Sequence, residues 1–198
     1  MTTDEPTKAY SGVAMALHWA IALLILINLI LVWTVDFFPD VFTRPIVDTH
    51  KSIGITVLGL ALLRVFWRIG HKPPPLPENY PAWEKKLAQG AHWLLYGLIF
   101  CLPFSGWLHD SAWKGAASHP FYLYGVIPFP RWWFLTDLDP VRKEAMHTLL
   151  FQFHAAFAYV LYAAVGLHVL GALKHQFWDR EEEFQRMVPV RLLARRKG

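Results

Sequence analysis

The sequence is poor in charged residues and in cysteine, and each shortage excludes a class of protein. Only 17% of its 198 residues are charged, whereas an average soluble domain has about 25%. The one cysteine, Cys101, excludes an intrachain disulfide, a CxxC redox pair and the CxxCH motif that attaches haem covalently. We interpret Cys101 as a small apolar side chain inside a helix. We also expect no cleavable signal peptide, because the first apolar run is too long for one.

Apolar and aromatic side chains are abundant, and they fall into long blocks. Hydrophobic residues make up 55% of the chain, including 14 Phe, 10 Trp and 7 Tyr. A helix needs about 20 residues to cross the hydrocarbon of a bilayer. The blocks therefore predict an all-α fold, an integral membrane four-helix bundle with a single transmembrane domain over residues 1–180. The predicted spans are 12–35, 50–69, 89–109 and 144–177, and a charged cytoplasmic tail is predicted over 181–198.

Local signals refine these spans. Asp139 followed by Pro140 is a favourable start for the fourth helix, because Asp caps a helix and Pro suits its first turn. Pro103 predicts a kink in the third span. Arg64 and Arg68 close the second span, where their long side chains are expected to reach the lipid headgroups.

Basic residues predict how the chain is oriented in the membrane. Of the 19 lysines and arginines, 13 lie in the N-terminal segment, the region Arg64–Lys86 and the tail from Lys174. Since cytoplasmic flanks are enriched in these residues, we expect both termini on the cytoplasmic side of the membrane. Their position at block ends favours lipid over nucleic acid as the partner. Residues 71–81 would form a stiff cytoplasmic linker, and residues 110–139 would lie on the outer surface.

Two of the ten histidines, His154 and His168, lie fourteen residues apart in one apolar run. This spacing is almost four helical turns, so both side chains share one helix face about 21 Å apart. One metal ion cannot bind both, but two cofactors stacked across the membrane can. His18 is predicted level with His168, and His50 level with His154. Coordination would offset the cost of placing imidazoles in hydrocarbon.

The pairing of these histidines favours haem over other metal centres. A structural zinc site needs four ligands that converge on one point, whereas here the candidates form two distant pairs. Two imidazoles on opposite faces of a planar ring are typical of a b-type cytochrome. Iron with both axial positions filled transfers electrons rather than binding oxygen. The sequence therefore predicts two haem b groups, with the pairs His18/His168 and His50/His154.

The other histidines divide into two sets. His92 and His175 compete for a place at the inner site, as hydrogen-bond partners or neighbours of a quinone, and a plain interfacial role stays open for both. The remaining four are expected to be solvated surface residues: His71, His109, His119 and His147.

Five segments resemble the bacterial cytochrome b561 family of four-helix dihaem membrane proteins. More distantly they resemble the cytochrome b subunits of formate dehydrogenases and nickel-iron hydrogenases. The similar segments are Leu17–Trp19 (LHW), Thr43–Arg68, Ala91–Trp107, Phe153–His175 and Gln185–Pro189 (QRMVP). The family pattern places the axial ligands at the same four histidines that the spacing indicates.

The resemblance implies a bacterial inner-membrane protein that transfers electrons to or from ubiquinone or another quinone. One branch of the family is similar to superoxide oxidases. If the chain belongs to that branch, it would be a superoxide:ubiquinone oxidoreductase. For the outer haem, Arg44, Lys51 and Arg142 are candidates to bind the propionates or attract superoxide. Two alternatives stay open: a haem-bearing membrane-anchor subunit of a dehydrogenase or reductase complex, and a haem-free protein with structural histidines.

Overall fold

Helices dominate the structure. The computed structural model describes residues 9–75, 80–180 and 183–188, so most of the predicted tail and part of the predicted linker 71–81 lie outside the described residues. In chain order the helices are α1 (Gly12–Thr34), α2 (Asp40–Gly70), α3 (Ala82–Ser111), α4 (Trp133–Thr136), α5 (Pro140–Leu173) and α6 (Glu183–Met187). Four of them, α1, α2, α3 and α5, are long and apolar enough to cross a membrane. This confirms the predicted four-helix membrane fold.

Side-chain caps set the starts of two spanning helices. The Ser11 hydroxyl accepts a hydrogen bond from the Ala14 amide at the start of α1. The Asp139 carboxylate accepts from the amides of Val141 and Arg142, with Pro140 in the first turn of α5. These contacts satisfy amides that have no partner within the helix. The Asp-Pro signal therefore marks the start of α5 as the sequence predicts.

Two helices extend well beyond the predicted spans. Helix α2 begins at Asp40, ten residues before His50, and α3 begins at Ala82 rather than at residue 89. The added turns carry polar residues, so a search for apolar blocks does not detect them. At 1.5 Å per residue the 31 residues of α2 span about 46 Å, more than the hydrocarbon thickness of about 30 Å. Helical ends therefore protrude from the bilayer and carry the loops.

The helices pack in the order α1 against α2, α2 against α3, and α3 against α5. One buried cluster joins α1, α2 and α3 through Ile21, Val57 and Ile99. A second joins α3 to α5 through Leu98 and Leu161. The outward faces carry many exposed apolar side chains, as expected for helices whose surroundings are lipid rather than water.

The bundle has two distinct ends, which we call the terminal end and the loop end. The terminal end holds the start of α1 and residues 183–188. There the Tyr10 amide donates to the carbonyl of Arg186 at 3.0 Å, and the Trp19 indole donates to the carbonyl of Met187 at 2.7 Å. The loop end holds the short 3₁₀ turn Val35–Phe37 and residues 112–139, which we call the lid. Which end faces the cytoplasm stays a prediction.

The lid contains a small antiparallel hairpin, the one departure from the all-α prediction among the described residues. Its strands are β1 (Tyr122–Leu123) and β2 (Ile127–Pro128), and the turn residues Tyr124 and Gly125 have φ of 52° and 74°. A positive φ at both positions is typical of a type I′ turn, and it is unfavourable for tyrosine. Tyr124 is held there by α2: its amide donates to Ser52 Oγ at 2.9 Å, and its hydroxyl lies 2.7 Å from Thr56 Oγ1.

One buried carboxylate joins the lid to the bundle. Asp110, near the end of α3, is 8% exposed. It accepts from Lys51 of α2 at 3.0 Å and from Arg131 of the lid at 2.7 Å. Arg131 also donates to the carbonyls of Ala116 and His119. Because Asp110 is the carboxylate partner of Arg131, whose other two contacts lie within the lid, Asp110 should be the main polar anchor of the lid.

We predict that Asp110→Ala lowers the free energy of unfolding by about 3–5 kcal/mol, because it leaves the buried Arg131 guanidinium without its anion. Lys51 keeps its second partner, Asp48. Denaturant unfolding in detergent measures the change. Arg142→Gln is the matched control, because it removes an ion pair with Asp139 in which the Arg142 side chain is 79% exposed. Its loss should lower the free energy of unfolding by less than about 1 kcal/mol. Equal stability of Asp110→Ala and the wild type would contradict the anchor.

Candidate functional site

Two histidines face each other at the loop end. His50 of α2 and His154 of α5 have ring centroids 6.2 Å apart, with ring planes 85° to each other. A cavity of about 400 Å³ opens between the helices at this point. Its lining includes both histidines together with Asn28, Gly54, Gly106 and Ala158. The cavity therefore has apolar walls, small residues and two imidazoles, which suits a flat cofactor.

A second pair has nearly the same geometry at the terminal end. His18 of α1 and His168 of α5 have ring centroids 6.3 Å apart and an interplanar angle of 72°. Both pairs thus use one histidine of α5 and one from a neighbouring helix. The structure brings together the same partners that the sequence pairs by depth.

The centroid distances fit a metal held between the rings. A first-row metal binds an imidazole nitrogen at about 2 Å. Since the ring centre lies about 1 Å behind that nitrogen, two imidazoles on opposite sides of one iron have centres about 6 Å apart. By contrast, the histidines His109 and His147 pack directly, at 3.9 Å between centroids. The two facing pairs are spaced for an atom between them, so their residues fit bis-histidine haem.

Hydrogen bonds fix the orientation of His154. Its Nδ1 lies 3.1 Å from the carbonyl oxygen of Leu102 and 3.1 Å from Ser105 Oγ, both on α3. A carbonyl only accepts, so Nδ1 carries the proton and Nε2 keeps its lone pair. This is the arrangement usual for a metal-binding histidine, whose second nitrogen donates to a carbonyl or carboxylate. For His50, Nδ1 is buried with no hydrogen-bond partner among the described residues.

The absence of a side chain at Gly106 allows the His154 ring to lie close against α3. A Cβ at this position would lie 3.1 Å from Cε1 and 3.3 Å from Nδ1 of His154, closer than ordinary van der Waals contact. At Gly54, one turn after His50, an added Cβ would meet only the Asn28 amide, at 4.0 Å. Gly106 was not among the candidate residues from the sequence. A glycine within an apolar block is a weak signal of a binding site, because small residues also allow close packing of helices.

A third histidine, His92 of α3, lies beside the terminal-end pair. Its ring centroid is 5.3 Å from that of His168, and its Nδ1 is 2.7 Å from the carbonyl oxygen of Ala88. His92 is therefore close enough to influence a cofactor bound by His18 and His168. It also remains a competing ligand for that position.

His175 lies in a different environment, in the π-helical turn Lys174–Trp178. Its ring stacks on Tyr80 at 4.4 Å, and its Nδ1 lies 2.7 Å from a carboxylate oxygen of Asp179. The Lys174 ammonium bridges Glu84 and Asp179 at 2.9 Å each. The hydrogen bond from Lys174 holds the pKa of Asp179 below its ordinary value, so this carboxylate stays ionised. The contacts of His175 are thus to an ion-pair cluster that ties α3 to the end of α5.

The expectation that His109 and His147 are solvated surface residues is wrong. Their rings stack, and the Nδ1 of each lies within hydrogen-bond distance of the carbonyl oxygen of the other, at 3.1 and 3.2 Å. Both are half-buried between α3 and α5. Both residues stand near the ends of their predicted spans, where a solvated position is the ordinary expectation, and the sequence does not show that the two rings meet. His71 and His119 are exposed, as expected.

The basic residues expected near the loop-end pair already have carboxylate partners. Lys51 contacts Asp48 and Asp110, and Arg44 contacts Asp48 at 3.6 Å. Arg142 pairs with Asp139 at 3.4 Å. Of the three, only Lys51 lines the cavity. Their positive charge toward the cavity is therefore partly neutralised.

Four spanning helices that turn paired histidines inward are typical of membrane cytochromes of the b type. Comparison with known proteins agrees. Residues 9–190 match the family model described as prokaryotic cytochrome b561, and the chain belongs to this family. Haem, iron and electron transport follow from that membership, and the protein is a multi-pass bacterial membrane protein.

Several relatives match along most of their length. "Cytochrome b561 homolog 2" of Escherichia coli K12 is 29% identical over 94% of this chain and 94% of that protein. "Probable superoxide oxidase CybB" of Yersinia pestis is 25% identical over 92% of this chain and 97% of that protein. "Cytochrome b562" of Cereibacter sphaeroides is 32% identical over 59% and 72%, respectively.

We predict that Gly106→Ala disturbs haem binding at the loop end, because the new methyl group forces the His154 ring from its hydrogen bonds. Part of the haem should be lost or become high-spin in the absorption spectrum. Gly97→Ala on the same helix is the control, since a Cβ there meets no atom within 4 Å. An unchanged spectrum in Gly106→Ala, or the same loss in both variants, would show that the close approach is unimportant.

Proposed function

We propose that the chain is a transmembrane dihaem cytochrome that transfers electrons to or from quinone. The observation that carries this proposal is the pair of matched histidine couples, with centroids 6.2 and 6.3 Å apart, at opposite ends of one bundle. A haem iron with two imidazole ligands changes oxidation state by one electron without opening a coordination position. The protein supplies the ligands, their orientation and an apolar surrounding.

The distance between the couples supports two haems rather than one. His154 and His168 both belong to α5, so their separation is about 21 Å along the helix axis. One iron cannot contact both. Each half of the bundle therefore provides its own bis-histidine site, and together the sites form a path across the membrane.

Quinone exchange is proposed at the terminal end. His92 lies beside the histidine pair there, and Trp93 and Tyr96 follow on the same helix with ring centroids 6.4 Å apart. Trp93 is exposed on the surface of the bundle. A quinone needs hydrogen-bond partners beside apolar walls, and this group supplies both. His175 is a weaker candidate, because its ring is stacked on Tyr80.

Oxidation of superoxide is a narrower proposal for the loop end. A relative named "Probable superoxide oxidase CybB" matches 92% of this chain, and Lys51 supplies a cation at the cavity. In this scheme the electron from superoxide passes from the loop-end site to the terminal-end site and then to quinone. The terminal end would face the cytoplasm, in keeping with its excess of lysine and arginine. The nearly complete mutual coverage with compact relatives favours a free-standing protein over an anchor subunit.

We predict that alanine at His50 or His154 removes the same haem or turns it high-spin, and that alanine at His18 or His168 removes the other. The reason is that crossed pairing would need a ligand to reach across half the bilayer. Haem content and reduced-minus-oxidised spectra of the four variants measure this.

His92→Ala and His175→Ala serve as controls, and both should retain two haems. If His92→Ala loses a haem while His18→Ala retains two, then His92 rather than His18 is the ligand at the terminal end. A wild-type protein that contains one haem or none would reject the dihaem proposal altogether.

For superoxide we predict reduction of the haem at a rate that falls as salt rises, because ions screen the attraction between an anion and a local cation. Lys51→Gln should slow the reaction, whereas Lys86→Gln, in the first turns of α3 and away from the loop end, should not. Stopped-flow spectroscopy with a superoxide source gives the rates. Rates indifferent to both salt and Lys51→Gln would contradict this steering.

A further inference from the structure

Arg64 is a cation inside a spanning helix, and the structure turns it into the bundle. It lies six residues before the end of α2. Its Nε donates to the Tyr96 hydroxyl at 3.0 Å and its Nη1 to the carbonyl of Ala14 at 3.0 Å. The expectation that Arg64 reaches outward to the lipid headgroups is therefore wrong. The side chain instead links α2 to both α1 and α3.

Arg64 has no anionic partner in the described part of the chain. The ion pairs found there join other cations to carboxylates, for example Lys51 and Arg131 to Asp110, and none includes Arg64. A guanidinium has five N–H donors and cannot lose its charge. Two neutral oxygens therefore leave both its charge and several donors unmatched. Within a membrane span such a charge is costly unless an anion accompanies it.

The position of Arg64 indicates where that anion would lie. Ala14 is one turn before His18 on α1, and Tyr96 is one turn after His92 on α3. His92 is itself in contact with His168, at 5.3 Å between ring centroids. The guanidinium thus stands at the edge of the terminal-end pair, where it can meet a group carried by a cofactor bound there.

We infer that Arg64 binds a propionate carboxylate of the haem held by His18 and His168. This inference rests on the proposed dihaem function. Haem b carries propionate groups, and arginine forms strong charge-assisted bonds with carboxylates. Arg64 is then a positioning residue with a second effect: its positive charge favours the ferrous state, which has one positive charge fewer. The terminal-end haem should therefore have a higher midpoint potential with Arg64 than without it.

The first experiment is a redox titration of the full-length protein in detergent, followed in the α-band. The terminal-end haem is identified as the one lost in His168→Ala. Arg64→Gln should lower the midpoint potential of that haem alone, and Arg64→Lys should restore most of the shift. Arg68→Gln is the matched control, because Arg68 also lies over the Tyr96 ring, at 5.5 Å from its centroid. A shift of equal size in Arg68→Gln, or none in Arg64→Gln, would overturn the inference.

The second experiment tests the carboxylate directly by reconstituting apoprotein with haem or with haem dimethyl ester. The wild type should bind the ester at the terminal-end site about tenfold or more weakly, which is the value of one charge-assisted hydrogen bond. Arg64→Lys should reduce this preference, and Arg64→Gln should abolish it. Equal binding of haem and ester by the wild type would overturn the inference even if no Arg64 variant folds.

A lipid phosphate could supply the same anionic chemistry, and delipidation distinguishes it. If the anion is a propionate, the potential of the wild type stays the same after phospholipid is removed. A drop to the value of Arg64→Gln would assign the anion to lipid and reject the proposal. The failure of the dihaem function itself would look different, because His168→Ala would then leave the haem content unchanged.

Discussion

A polar side chain in the middle of a bilayer must have a partner, and this requirement governs the structure. Hydrocarbon offers no hydrogen bonds, so each buried charge or imidazole must be satisfied within the protein or by a bound group. Asp110 meets the rule with two cations, and His154 meets it through Leu102 and Ser105 on one side of its ring. The other side of that ring faces His50 across the cavity. A cofactor is expected at the polar side chains that have no such partner within the protein.

The two ends of the bundle use this rule differently. At the loop end the charges are paired among themselves, since Lys51, Arg44 and Arg131 all reach Asp48 or Asp110. The resulting network secures the lid over the site. At the terminal end Lys174 pairs with Glu84 and Asp179, whereas Arg64 contacts two neutral oxygens and the Tyr96 ring and has no carboxylate partner among the described residues. The ion pairs at the loop end mainly stabilise the protein. The unpaired charge of Arg64 instead creates a positive electrostatic potential beside His18 and His168.

Much of this could be predicted from the sequence, because the membrane simplifies the problem. Apolar length gives the number of spans, and a fourteen-residue spacing gives two imidazoles on one helix face whatever surrounds them. The polar turns that prolong α2 and α3 at their starts leave no such signal. The stacking of His109 on His147 was missed for another reason, because a contact between two helices cannot be read from either helix alone. The direction of Arg64 could not be foreseen either, because an arginine near a span end can turn outward or inward. The inward direction depends on two acceptors from other helices, the Ala14 carbonyl of α1 and the Tyr96 hydroxyl of α3.

Both candidate sites take one ligand from α5, a continuous helix from Pro140 to Leu173. The interval between them is therefore fixed by the covalent backbone and the helical rise, not by how the loops or neighbouring helices pack. In the proposed dihaem function, changes to the lid or to the terminal segment can alter which molecule meets either site and the redox potential at that site. They leave the step between the sites unchanged. If the chain works as proposed, donor and acceptor specificity can therefore diverge at the two ends while α5 keeps the distance between the sites constant.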